Sequence, residues 1–151
     1  MTILSAIFLS LIAGFLGTVV MTISQFIEIG FTKRSSSFTP AMITSRLLGI
    51  NFERLSEKAK VALNYATHFG YGTLLGVLVP LLLYALGSQG ATMVIIINAL
   101  IVWVQGLIVV PVLGSLPPPW QWGTKWVIID AFHHFVLGAS TAVIYLFFAR
   151  P

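Results

Sequence analysis

Three histidines and four carboxylates are the whole acid–base inventory of this 151-residue chain near neutral pH. Five of those seven groups, Glu28, His68, Asp130, His133 and His134, stand inside otherwise apolar stretches, accompanied by Gln25, Asn64 and Gln105. Their spacing repeats. Asn64-x-x-Thr67-His68-Phe69-x-x-Gly72 is echoed by Asp130-x-x-His133-His134-Phe135-x-x-Gly138. On a helix, Asn64, His68, Gly72, Gly76 and Pro80 share one face, and Asp130, His134, Gly138 and Ala142 share its counterpart. Asp130 is one turn from both histidines and is expected to hydrogen-bond to His133 or His134.

Several chemistries fit these residues. Two neutral imidazoles at equal depth on parallel helices can ligate a haem iron axially, which makes His68 and His134 the candidate metal ligands and haem b the candidate cofactor. Three histidines and two carboxylates could also hold zinc, although no HExxH or comparable ligand spacing is present. Glu28, His68 and Asp130 could relay protons or guide a cation. In the simplest alternative, Gly14, Gly17, Gly72, Gly76, Gly138 and Ala142 are small-residue packing positions, and the polar groups hydrogen-bond across the bundle. The absence of cysteine excludes thiol chemistry and disulfides. Ser5, Ser10 and Ser24 have no histidine and carboxylate at a recognisable nucleophile spacing.

The elements that must position these groups are transmembrane helices. With 58% hydrophobic and 8% charged residues and a mean hydropathy of +0.99, the chain is too apolar for a soluble domain. Four stretches of membrane-crossing length stand out, at about 3–31, 61–86, 92–113 and 126–149. The expected fold is therefore an all-α membrane protein, one polytopic domain over 1–151, with four transmembrane helices as two hairpins. The first stretch has no positive leader and is too long for a signal-peptide core, so it is expected to be retained. The repeat relates the second span to the fourth, which run in the same direction, and this implies a weak parallel (2+2) pseudo-symmetry about an axis along the membrane normal.

Lys33, Arg34, Arg46, Arg54, Lys58 and Lys60 lie between the first two spans, whereas 86–91 carries no charge. The positive-inside rule then makes the first and third connections cytoplasmic, with both termini outside. At about 1.5 Å per residue, His68 lies ~12 Å inward from Lys60, His134 ~13 Å from Lys125 and Gln25 ~12 Å from Lys33, with Glu28 and Asp130 shallower, which predicts one polar layer in the cytoplasmic half. Within the first connection, Thr39-Pro40 and Gly49 bracket a short helix expected in the headgroup plane, and Asn51 is expected to cap the charged start of the second span. Pro117-Pro118-Pro119 followed by Trp122 and Trp126 reads as a stiff turn and an interfacial aromatic belt. Pro80 is expected to kink the second span, and Trp103 to face lipid or a neighbouring helix. The net charge of +4 is concentrated beside membrane spans, which points to lipid headgroups and not to nucleic acid.

Gly14-x-x-Gly17-Thr18-x-x-Met21-Thr22, together with His68-x-x-Tyr71-Gly72-x-x-x-Gly76 and its echo around His134, resembles the small four-helix prokaryotic inner-membrane proteins of the uncharacterised YagU-like type. The resemblance covers all four spans loosely, and Leu137 stands where the second repeat would have a tyrosine. It implies a prokaryotic cytoplasmic-membrane protein without an assigned activity and supplies no catalytic residues. The resulting expectation is a non-catalytic membrane subunit or scaffold that packs against itself or a larger complex through its glycine faces. The alternatives are a haem- or metal-binding protein and a proton- or cation-conducting oligomer. Cysteines at Ser36 and Ser88 test the orientation: Ser36→Cys should be labelled only from the cytoplasmic side and Ser88→Cys only from outside, and the reverse pattern would invert the topology.

Overall fold

The computed structural model describes residues 2–87, 90–113 and 116–149; Ser88, the outer labelling site, lies outside them. The described chain is all-helical: α1 (Ile3–Thr32), α2 (Thr39–Leu47), a 3-10 turn at Phe52–Arg54, α3 (Glu57–Leu75), α4 (Leu78–Leu86), α5 (Ala91–Val112), a second 3-10 turn at Pro119–Gln121, and α6 (Thr124–Phe148). Four helical stretches are long and apolar enough to cross a membrane, with α3 and α4 together forming the second.

Local chemistry sets the boundaries. Thr2 Oγ1 accepts from the Ser5 amide at 3.2 Å to begin α1, and Lys33 ends it in the left-handed region at φ 57°. Asn51 Oδ1 accepts from the Glu53 amide at 3.1 Å, but the element it caps is only the 3-10 turn. Ser56 caps α3, accepting from Ala59 at 3.3 Å, so the helix that carries the second span begins at Glu57. The expected kink is a break between α3 and α4. Proline at position 80 has no N–H to offer Gly76, and the chain tightens to bonds such as Val79 N–H to Gly76 O at 3.1 Å. The short helix starts with the Ser37 hydroxyl accepting from the Thr39 amide at 3.2 Å. Trp122 Nε1 donates to Pro117 O at 2.5 Å across the proline turn, and Trp120 next to it is exposed.

Helix α1 is the hub, packing on α3 along one side and on α6 along the other, while α5 packs on α6 and α4 leans on α5. Small residues permit the close approaches. A Cβ on Gly14 would stand 2.5 Å from Thr73 O and 2.7 Å from Gly72 O, and one on Gly138 would stand 2.5 Å from the Ala99 Cα. A Cβ on Gly17 would overlap the Thr141 side chain, one on Gly72 that of Thr18, and one on Gly76 the Ser10 carbonyl. In each hairpin the face that begins with His68 or His134 thus meets the preceding span: Gly72 meets Thr18 of α1, and Gly138 meets Ala99 of α5.

The apolar core lies toward the Gly87 end, where Ala13, Val79, Val94, Ala142 and Tyr145 pack together, with Met21, Val102 and Leu137 as a second cluster. Only 17–28% of each span's most apolar window is buried within the chain, so the protein core is a thin seam and close backbone contact carries much of the cohesion. Gly76→Leu should lower stability in detergent by about 1–3 kcal/mol through overpacking. Gly70→Leu is the control, because nothing stands within 4 Å of a Cβ there. Thermal unfolding of the two variants checks this, and equal midpoints would show that the Gly76–Ser10 approach bears no load.

Candidate functional site

The polar residues inside the spans are organised by the hydroxyls of α1. In a helix, a serine or threonine can give its proton to a carbonyl three or four residues back, which leaves the oxygen as an outward-facing acceptor. Thr22 does this, donating to Thr18 O at 2.8 Å. Its oxygen then stands 3.1 Å from His68 Nε2, so the imidazole must be the donor and the bond ties α3 to α1. Ser24 donates to Met21 O at 2.7 Å and stands 2.9 Å from His133 Nδ1, which ties α6 to α1 in the same way.

Beside that second tie is Glu28. The left-handed turn at Lys33 folds the chain back so that Arg34 Nε donates to Glu28 Oε2 at 2.6 Å, while Thr32 Oγ1 donates to Oε1 at 2.7 Å. Both side chains of this ion pair are largely buried, at 12% exposure for Glu28 and 19% for Arg34. His133, only 3% exposed, turns Nε2 toward the same Oε2 at 3.5 Å. With the Ser24 proton committed to Met21, Nδ1 carries the ring proton, so Nε2 can donate to Glu28 only in the doubly protonated imidazolium; in the neutral ring it is a buried atom without a hydrogen-bond partner among the described residues.

The third cluster joins α5 to α6. Trp103 Nε1 donates to Asp130 Oδ2 at 3.2 Å, and His134 Nδ1 lies 2.9 Å from the Asp130 carbonyl oxygen and 3.3 Å from Oδ1. Gly106 makes room for this ring, since a Cβ there would stand 3.1 Å from His134 Nε2. Deeper in the seam, Asn98 Nδ2 donates to Gly138 O at 2.7 Å. Helices α3 and α5, otherwise barely in contact, are bridged by Tyr71 Oη donating to Gln105 Oε1.

The hydrogen bonds of the residues expected in one layer fall into several ties. His68, His133, His134, Glu28, Asp130 and Gln105 all take part. Asn64 belongs instead to the α2–α3 contact, accepting from the Ala41 amide at 3.2 Å, and Gln25 makes no hydrogen bond among the described residues. Asp130 pairs with His134, and His133 looks to α1. Sequence reasoning missed Thr22, Ser24, Arg34, Tyr71 and Trp103 as partners. Trp103 is a hydrogen-bond donor into the bundle.

Ser24, His133 and Glu28 superficially resemble a nucleophile, base and acid. The Ser24 proton is given to its own helix, and the backbone N–H groups beside it are used within α1. An adjacent groove of about 340 Å³, lined by Ser24, Ile27, Glu28, Phe31, Thr32 and Phe132, presents apolar walls. For haem, His68 and His134 would each turn a free nitrogen toward a shared centre; Nε2 of His68 is bonded to Thr22 and Nδ1 of His134 to the Asp130 carbonyl, which leaves Nδ1 of His68 and Nε2 of His134 for that role. Among the described residues, no three His, Asp or Glu side chains come close enough together to hold a metal ion.

Fold and polar clusters together define an integral membrane protein of four apolar spans, tied internally by hydrogen bonds. Compared with protein-family models, curated proteins and solved structures, the chain matches none. A double-mutant cycle of Glu28→Ala with Arg34→Ala should give a coupling of about 1–3 kcal/mol, as for a charge-assisted bond. The pair Lys60–Glu57, whose Glu57 is 78% exposed, should give a clearly weaker coupling. Chemical unfolding in detergent reads both, and equal couplings would place Arg34 away from Glu28.

Proposed function

We propose that this chain is a small non-catalytic membrane subunit or scaffold, a bundle closed on itself by glycine contacts that presents its outer faces to lipid and to neighbouring copies or a larger complex. The observation that carries this reading is the engagement of every intramembrane imidazole: His68 with Thr22, His133 with Ser24, and His134 with Asp130. Groups that would be reactive if free are committed to joining helices or fixing a side chain. Gly14, Gly17, Gly72, Gly76 and Gly138 are taken up by contacts within one chain, so association uses the outer apolar surfaces in place of those glycine faces.

The reading places the protein in a prokaryotic cytoplasmic membrane, with both termini outside and its basic connections at the cytoplasmic anionic lipid surface. The charge asymmetry of the connections supports that orientation. The matching way in which Gly72 and Gly138 meet the preceding spans supports descent of the two hairpins from one, related by a parallel pseudo-two-fold axis.

Gently purified protein tests the proposal. It should show no Soret absorption and no stoichiometric metal, and its protein mass in detergent should exceed that of one 16.5 kDa chain. Bound haem or metal would replace this reading with cofactor binding at His68 and His134. A strictly monomeric particle, with no partner cross-linked in native membranes, would remove the subunit role.

A further inference from the structure

We propose that α2 is a half-helix that dips into the bilayer, with its tip at Leu47, Leu48 and Ile50 seated among lipid acyl chains. Its direction follows from its contacts. Asn64 of α3 donates to Ser37 O at 3.3 Å and accepts from the Ala41 amide at 3.2 Å. Three residues further along both helices, the hydroxyls of Thr44 and Thr67 meet at 2.7 Å. Matching steps in the same sense mean that α2 runs beside α3, toward the membrane interior. Its root stays at the charged end: Phe38 packs on Phe52 at 6.1 Å, and Lys60 Nζ lies over the Phe52 ring at 5.2 Å.

Depth then follows from helix rise. Thr67 is seven residues past Lys60, ~10 Å inward, and Leu47, almost a turn beyond Thr44, reaches ~15 Å. The second span has 30 residues, about 45 Å of helix, enough to cross the whole bilayer with headgroup layers only ~5–8 Å thick on each side. The tip therefore falls in hydrocarbon.

Two features suit it to that solvent. Ala41 and Ser45 face inward, at 0% and 1% exposure, whereas Leu47 and Leu48 are 65% exposed and Ile50 41%. The chain also closes the N–H groups of its reversal: Leu48 donates to Thr44 O at 3.0 Å, Gly49 to Arg46 O at 3.3 Å and Ile50 to Ser45 O at 2.8 Å. Closing these three donors removes part of the cost of carrying a backbone turn into lipid. Gly49, at φ 67°, permits the reversal, and the long stem of Arg46 suits it to reach back toward the headgroups. Beneath this cover the polar Asn64 and Thr67 of α3 are shielded from lipid, which accounts for polar residues at the start of an otherwise apolar span.

The chain has no cysteine, so single sites can be labelled with the fluorophore NBD and reconstituted in phosphatidylcholine–phosphatidylglycerol vesicles. At Leu48→Cys and at Ile50→Cys, the expected result is blue-shifted emission, quenching by lipids carrying a nitroxide midway along the acyl chain, and loss of quenching by aqueous iodide. Ser36→Cys should behave oppositely. Iodide quenching at Leu48 would place the tip in water, and protection from both quenchers would mean that protein, such as a second copy, covers it. Either result overturns the proposal.

Discussion

Hydrocarbon offers no hydrogen bonds, so each polar group carried into these spans must find its partner inside the protein. Thr22 and Ser24 show how the chain meets that requirement. Each gives its proton to a carbonyl of its own helix, which turns a hydroxyl into a pure acceptor facing outward, and each acceptor draws in an imidazole from another span. A histidine thereby becomes a fastener with a defined orientation, because only one nitrogen can donate to that oxygen.

This places α1 at the centre of the molecule. Thr22 and Ser24 reach α3 and α6 respectively, and Gly14 and Gly17 bring those same two helices into backbone contact. Polar ties dominate toward the basic end of the bundle and apolar packing toward the Gly87 end. Removing side chains at the glycines supplies cohesion that lipid-facing leucines cannot, since lipid tails solvate them as well as protein does.

Much of this was legible from residue order alone. Uncharged length identifies the four spans, and the four-residue interval places Asp130 against His134 and lines up the small residues. What lies beyond such local rules is helix rotation and neighbour choice. Nothing in the spacing indicates that His133 turns to α1 while His134 turns to α5, that Trp103 donates to Asp130, or that Arg34 folds back on Glu28. The direction of α2 is likewise set by two side-chain contacts, Asn64 with Ala41 and Thr44 with Thr67, which no periodicity within α2 specifies.

The central claim is that the intramembrane histidines act as oriented fasteners, and their proton positions report it directly. Nitrogen-15 solid-state NMR of histidine-labelled protein in bilayers, with His68→Gln and His134→Gln variants for assignment, resolves the two ring nitrogens of each residue. Nε2 of His68 should carry a proton, donated to Thr22, and Nδ1 of His134 one donated to the Asp130 carbonyl. Tautomers averaged by exchange with water, or Nε2 of both rings unprotonated and shifted by a metal, would contradict it.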